Sequence, residues 1–438
     1  MRAKACLDLR ILAHDPFKDC ETDREEEVDG EDAADDAEDD FLQQPHVVIV
    51  GWYPIGFARE NTMSDAFVEK LFGDSEPGHL GTGWISGTSS IFFGVLGFGG
   101  ALCLHFPGLL TLPDARAHYP LTIIRLMIQG SIILAIVLGA ISGVLRQRKV
   151  LAVTGVSLGL LAAIIGGGST PLPDRVATRF GLGLDWFLLD LFVMTVAFLP
   201  LERFWPLHPD QSTFRPQWTT DLFYFVATHL PAQLITLGMV IPASYASRWL
   251  AIPWLAHTVG SLPFLIQLPL AIVVADLSQY ATHRAFHAIP WLWRFHSIHH
   301  SIETMDWVAG SRSHYIDILL TRGLILIPMT IFGFSQAALA GYLVFGSFHA
   351  TFCHTDFRPR TVWLEPYFVT VRYHHWHHAA DQNAVDVNFA IHLPFIDRVF
   401  GTHYLPEDAW PQRYGLVGGS VPRGFFAQLL APFKRDAA

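Results

Sequence analysis

The feature that most constrains this chain is the recurrence of long stretches almost without charge. Six windows, roughly 84–110, 121–145, 150–168, 184–200, 222–245 and 261–281, each supply the 18 or so weakly charged residues that cross about 30 Å of hydrocarbon. A single anchor would need one such window. The composition agrees, because 51% hydrophobic and 16% charged residues make a chain more apolar than soluble proteins usually are. The expected fold is all-α: a multi-span integral membrane helical bundle.

The formal charge of -11 belongs to one end of the chain. Residues 1–62 hold 6 basic and 17 acidic residues, and the remainder carries 23 of each. Thirteen acids between Glu21 and Asp40 face a single Arg24, a composition that cannot bury enough apolar surface to fold and reads as a disordered acidic extension. Met63 opens a more ordinary sequence and is a second candidate start. No stretch from Met1 to Asp40 has the apolar core of a signal peptide. With the rest of the chain balanced in charge, no nucleic-acid partner is expected. Cys6, Cys20, Cys103 and Cys353 form no C-x-x-C pair, which argues against a zinc ribbon or a disulfide framework.

Orientation follows from Arg146-Gln147-Arg148-Lys149, the densest short basic loop, which the positive-inside rule places in the cytoplasm. Counting spans from there puts both termini and residue 282 on the cytoplasmic side, and leaves Arg175 and Arg179 outside. A further apolar stretch, Ile318 to Phe352, is interrupted by Gly333-Phe334-Ser335 and is long enough for a helical hairpin with both ends on that same side.

Of 22 histidines, 13 fall between His283 and His392, on either side of this hairpin. His283 and His287 stand at i and i+4, on one helix face and close enough to share a metal. His296, His299 and His300 form His-x-x-His-His, in which i and i+3 share a face and the adjacent histidine reaches a neighbouring ion. The same spacing returns at His374, His377 and His378. Three such boxes on one face specify a two-metal site carried by a cytoplasmic helical cap. Imidazole suits iron, zinc and copper alike, so the ligands by themselves do not choose the metal.

The boxes resemble those of the fatty acid hydroxylase and sterol desaturase superfamily. Asp276, Tyr280 and His283-Arg284 match its D-x-x-x-Y-x-x-H-R lead-in. Asn388-Phe389-Ala390, Asp397-Arg398 and Gly401-Thr402 are similar to its closing N-[FY]-G and D-R-x-x-G-[TS] elements. The likeness spans roughly residues 270–403, with Tyr315 and Ala390 standing where proline and glycine are usual. The resemblance implies a pair of non-haem iron ions, with zinc possible in an isolated protein, and dioxygen as co-substrate. It adds His314, in an element resembling H-P-x-[DE] that ends at Asp317, and His354 at the end of the hairpin as ligands. Asp276 and Asp317 become carboxylates that orient ligand histidines through their second ring nitrogen. The implied reaction is hydroxylation or desaturation of a lipid C–H bond. No flavin, haem or ferredoxin signature is visible, so a separate electron-transfer protein or reductase is implied.

Other histidines have plainer roles. His375 is expected beside the site or facing solvent, and His349 and His392 as structural residues. Trp291, Trp293 and Trp307 read as an interfacial aromatic belt. The organisation expected is 1–62 extension, 63–260 transmembrane region, 261–410 catalytic domain and 411–438 tail. A membrane metal transporter would instead place ligands near the midplane of the spans, and a zinc metallohydrolase is compatible with histidine ligation.

Overall fold

The computed structural model describes residues 81–116, 118–172 and 180–434. The acidic extension 1–62, Met63, Cys6, Cys20, Arg175 and Arg179 lie outside the described residues. Those described are helical and contain no strand, only the isolated bridges Pro206–Phe357 and Ala379–Tyr414.

Three apolar helices pack together first: α1 (Trp84–His105), α2 (Leu121–Leu145) and α3 (Val150–Ile164). Small residues let them approach; a Cβ on Gly155 would collide with Ser90, whose hydroxyl donates to the Ala135 carbonyl at 2.6 Å. Next come α4 (Leu184–Phe204), α5 (Trp218–His229) and α6 (Ala232–Leu250). The apolar window at 222–245 was expected as one span, but α5 and α6 are bent by 51° where it should run straight. Pro231 supplies the reason: it lacks an N–H, and its ψ of 37° leaves the helical region.

Among the described residues five helical segments are long and apolar enough to cross a membrane, Trp84–His105, Leu121–Leu145, Val150–Ser169, Leu184–Phe204 and Phe264–Ala288, and the bent α5–α6 pair makes a sixth if counted as one span. The last of the five, α7 (Phe264–Ala288), ends on the first histidine box. Pro290 then opens α8 (Pro290–His300), where its missing N–H costs nothing. The hairpin is formed by α9 (Tyr315–Ile331) and α10 (Gln336–Cys353), turned by Gly333 at φ 75° and capped by Ser335, whose side chain accepts from the Ala338 amide. Beyond it lie α11 (Val371–His377), α12 (Phe395–Phe400) and α13 (Phe425–Leu430). The C-terminal segment packs back on α11: the Ala380 amide donates to the Arg413 carbonyl at 2.8 Å, and the Gly415 amide to His378.

A buried ionic chain joins the N-terminal helices to the histidine segment. Asp221, in the first turn of α5, accepts from Arg215 at 2.6 Å and from Arg312 at 2.5 Å, and Arg215 reaches on to Asp306 at 2.6 Å. Asp221, Arg215 and Arg312 are all buried. Removing the shared acid strands the Arg312 guanidinium in the interior and leaves Arg215 with Asp306 alone. Asp221→Ala is therefore expected to destabilise the protein by about 3–5 kcal/mol, read as a drop in the thermal unfolding midpoint in detergent, whereas Arg203→Ala at an exposed position should leave that midpoint nearly unchanged.

Candidate metal centre

Two short helices and two helix ends converge at the histidines. The last two turns of α7 supply His283 and His287, α8 supplies His296, His299 and His300, the end of α10 supplies His354, and α11 with the residue after it supplies His374, His377 and His378. Their ring nitrogens form two groups: His283, His287, His296, His300 and His377 in one, and His299, His354, His374 and His378 in the other. Within each group the nitrogens lie within 4.8 Å of one another.

Both His-x-x-His-His boxes are divided between the groups, though not in the expected way. The i and i+3 histidines were expected to share an ion; instead the i and i+4 histidines stay together. His296 and His300, four apart, stay together while His299 crosses over, and His374 and His378, four apart, stay together while His377 crosses. In a helix the i,i+4 pair is separated by about 40° and the i,i+3 pair by about 60°. The closer pair keeps to one ion, and α8 and α11 form a shared wall.

The protonation of the rings shows whether these groups suit a cation. Six of the nine histidines donate their Nδ1–H to an oxygen acceptor outside the cluster. His283 donates to the Phe389 carbonyl at 2.8 Å, His299 to Arg312 at 3.0 Å, His354 to Ala350 at 2.8 Å and His377 to Val387 at 2.7 Å. His296 donates to the Asp317 carboxylate at 2.8 Å and His287 to Asp386 at 3.0 Å. A neutral imidazole with its proton on Nδ1 has a bare lone pair at Nε2. Yet His283 and His296 face each other Nε2 to Nε2 at 3.0 Å, and His299 and His354 at 3.3 Å. Neither member of either pair has a proton to give. Two lone pairs so close repel unless positive charge lies between them, and nitrogens each about 2.1 Å from one ion would be about 3.0 Å apart. His377 Nε2 is likewise buried without a protein partner. The donor set fits metal ions in both groups.

Electrostatics keep the rings ready to bind. Burial holds the imidazoles of His299, His300, His374 and His378 well below the usual histidine range, and neighbouring histidines push the same way. Burial pushes His377 down to about 3. These rings are uncharged at neutral pH, the form a metal requires.

The remaining predicted residues divide. His354 joins the second group, and Asp317 holds His296. His314 is brought to neither group: its Nδ1 accepts from the Ile316 amide at 3.1 Å, capping α9, and its Nε2 meets the Leu429 carbonyl at 3.2 Å. Asp276 orients no ligand ring. Its carboxylate accepts from the amides of Ile391, His392 and Leu393 at 2.9, 3.2 and 2.6 Å, because the Nδ1 of His283 is already taken by Phe389. It fixes a loop, and the loop's carbonyl fixes the histidine. His375 does not face solvent; it is fully buried, with Nδ1 against the Tyr414 hydroxyl at 2.8 Å and Nε2 on the Thr355 carbonyl at 3.1 Å. His349 and His392 pair through their Nδ1 atoms at 2.8 Å. Of the three tryptophans only Trp291 is exposed, while Trp293 packs on His287 and His300 with ring centres 5.0 and 5.4 Å away, and Trp307 packs on Phe225.

Sequence reasoning missed Asp386, the four backbone carbonyls and Gly310. Asp386 offered a faint signal as an acid between the last box and the closing motif. Gly310 has a steric role, since a Cβ there would lie 3.0 Å from the His354 ring.

Comparison with known proteins agrees with this geometry. The fatty acid hydroxylase family matches residues 268–402. Ornithine lipid hydroxylase of Rhizobium tropici is 30% identical over 278 residues, covering 59% of this chain and 79% of that protein. Mouse cholesterol 25-hydroxylase is 25% identical over 254 residues, covering 53% of the chain and 75% of the relative. Human alkylglycerol monooxygenase is 27% identical over 132 residues, covering 30% of the chain and 29% of its own length. No solved structure matches the chain.

Two outcomes are expected. Metal analysis should find His299→Ala reduced to about half the wild-type content while His314→Ala is unchanged; loss of metal in His314→Ala would contradict its placement. Secondly, the metal-free protein should be sensitive to acid. His377 binds its proton near 6.5 when unfolded and only near 3 when folded, so the unfolded state holds more protons in between. Its contribution to stability is intact above pH 6.5 and is lost as pH falls below it, at about 1.4 kcal/mol per pH unit per such group. Thermal unfolding of metal-free protein across that range, compared with His377→Gln, checks the sign and the slope.

Proposed function

The chain belongs to the fatty acid hydroxylase and sterol desaturase superfamily of membrane lipid oxidoreductases, and on that premise we propose that it hydroxylates a C–H bond of a membrane lipid at a pair of iron ions. The observation that carries this reading is the convergence of proton-free Nε2 atoms in two adjoining groups at the end of an apolar helix. Residues 261–410 are the catalytic domain in this reading, and the names of the relatives, a lipid hydroxylase, a sterol hydroxylase and a monooxygenase, favour hydroxylation over desaturation.

One ion would be held by His283, His287, His296, His300 and His377, and the other by His299, His354, His374 and His378. When bound, the ions supply the redox chemistry that cleaves dioxygen and attacks carbon. The balance is simple: one oxygen atom enters the C–H bond, the other leaves as water, and two electrons and two protons come from a separate reductase or electron-transfer protein.

The chain's own residues perform the positioning. Asp317, Asp386 and the carbonyls of Phe389, Arg312, Ala350 and Val387 keep the Nδ1 protons, so that every tethered ring presents a lone pair inward. Neutral imidazoles leave the ions their full positive charge. Burial of His299, His300, His374 and His378 excludes water from an oxidising centre. Substrate reaches the site from the bilayer, because α7 and the α9–α10 hairpin carry the ligands at their ends. The basic loop Arg146 to Lys149 supports placing this face, with both termini, in the cytoplasm, where soluble reductants are found.

Lipid extracts of cells expressing the wild-type chain should contain a species heavier by one oxygen atom, and under isotope-labelled dioxygen that atom should carry the label. His299→Ala should remove the species. Protein filled with zinc, together with unchanged lipids under aerobic conditions, would favour a hydrolytic site instead.

A further inference from the structure

Arg322, on α9 of the hairpin, is a cation that no described residue contacts to neutralise. On α9, Ile318, Ile325, Leu326 and Met329 are only 7%, 5%, 6% and 0% exposed. At 100° per residue they occupy an arc of roughly 100°, and Arg322 falls within it. The lipid-facing leucines Leu320 and Leu324 lie on the other side of the helix. Arg322 is nevertheless exposed. Its side chain is therefore rooted on the packed side of α9 yet keeps free surface. Ile318 and Leu326 pack on α6, and Ile325 and Met329 pack with Tyr342 of α10.

The ionisable groups whose charge acts on Arg322 are Tyr342, Asp190 and Asp317. Both acids are engaged elsewhere. Asp317 accepts from His296 at 2.8 Å and from the Thr321 hydroxyl at 3.0 Å. Asp190, on α4, pairs with His229 Nδ1 at 2.7 Å, and His229 Nε2 meets the Ser311 hydroxyl at 3.2 Å. Arg322 itself forms no hydrogen bond or ion pair with a described residue. The two acids lead toward the two metal groups: Asp317 holds His296 of the first, and Asp190 connects through His229 to Ser311, next to Gly310, which lies against the ring of His354 of the second.

A guanidinium is all donors and does not lose its charge. Arg322 is seven residues, about 10 Å, into α9 from its start. A permanent cation with open donors at that depth in an apolar helix marks a ligand site. We propose that Arg322 binds an anionic oxygen group, carboxylate or phosphate, of the lipid substrate and thereby sets which carbon reaches the metal pair. This rests on the reading that the substrate is a lipid. The fork of two parallel N–H groups matches either anion, and among the described residues none is bonded to it.

Binding, not turnover, tests it. The full-length, metal-loaded protein in neutral detergent is titrated with oleate, dioleoyl phosphatidate, dioleoylglycerol and inorganic phosphate, with native mass spectrometry as the readout. Wild type is expected to bind one of the two lipid anions more tightly than dioleoylglycerol. Arg322→Gln should weaken that anion by about tenfold or more, the worth of one charge-assisted bidentate pair, with dioleoylglycerol binding and metal content unchanged. Arg322→Lys keeps the charge without the fork and should fall between; it also decides the matter if the glutamine variant does not fold. Equal weakening for anionic and neutral lipid, no weakening at all, or binding of inorganic phosphate in place of the lipid anions would each overturn the proposal. Selective anion binding without any oxygenated product would leave Arg322 assigned and remove the oxygenase reading instead.

Discussion

Nine imidazole rings packed with their Nε2 atoms facing one another are not a stable arrangement by themselves. Each ring has two polar nitrogens, and burial raises the cost of leaving either unsatisfied. On six of the nine rings the protein satisfies the outward nitrogen with an oxygen acceptor and leaves the inward one bare. Everything around the cluster follows from that division. A proton on the inward nitrogen would destroy a ligand, and a charge on His299, His300, His374 or His378 is opposed by burial and by the neighbouring histidines. Positive metal ions are what the inward lone pairs lack.

The acceptors are mostly backbone carbonyls, so the conformation of loops becomes part of the centre. The carbonyls of Val387 and Phe389 belong to a segment with two residues at positive φ, Asp386 at 58° and Asn388 at 59°. Such a segment holds its shape only if tied down. Asn388 uses both ends of its amide, donating to the Tyr404 carbonyl at 2.7 Å and accepting from the Tyr404 amide at 2.8 Å. Asp397 accepts from the amides of Phe389 and Ala390 at 2.8 and 2.9 Å, and from the hydroxyls of Tyr373 and Thr402 at 2.9 and 2.7 Å. Asp276 grips the next three amides. The motifs before and after the boxes thus act on one loop from two sides, and that loop aims His283 and His377.

Much of this was legible in the sequence, and the limits are instructive. Long apolar windows find their helices because length and lack of charge leave few alternatives, and the window at 222–245 fails at Pro231, where a single residue outweighs the average. Box spacing finds the histidines that the structure brings together because i and i+4 positions must share a face. It cannot decide how a box divides between two ions, since i+3 and i+4 both lie near enough, and only the packing of α8 against α11 chooses. His314 carried the right residue type in the right motif, yet it caps α9. Capping and ligation need the same lone pair, and a sequence does not say which claimant is nearer. The carbonyls that hold His283, His299, His354 and His377 are invisible for a simpler reason: every residue has one.

The apolar helices and the polar centre are also coupled mechanically. Arg312 holds His299 through its carbonyl, while its side chain enters the buried chain that runs through Asp221 to Arg215 and Asp306. That chain is anchored in the first turn of α5, and α5 ends at His229, whose ring bridges Asp190 on α4 to Ser311 beside the second histidine group. The same short segment, 306–312, is therefore gripped from both ends of α5. A shift of α5 within the bilayer cannot be absorbed by the surface, because its polar contacts are buried ionic ones, and must pass to the Arg312 carbonyl. Placing the ligands at helix ends thus gives the centre access to lipid, and the buried ion pairs keep that access from loosening the geometry on which the centre depends.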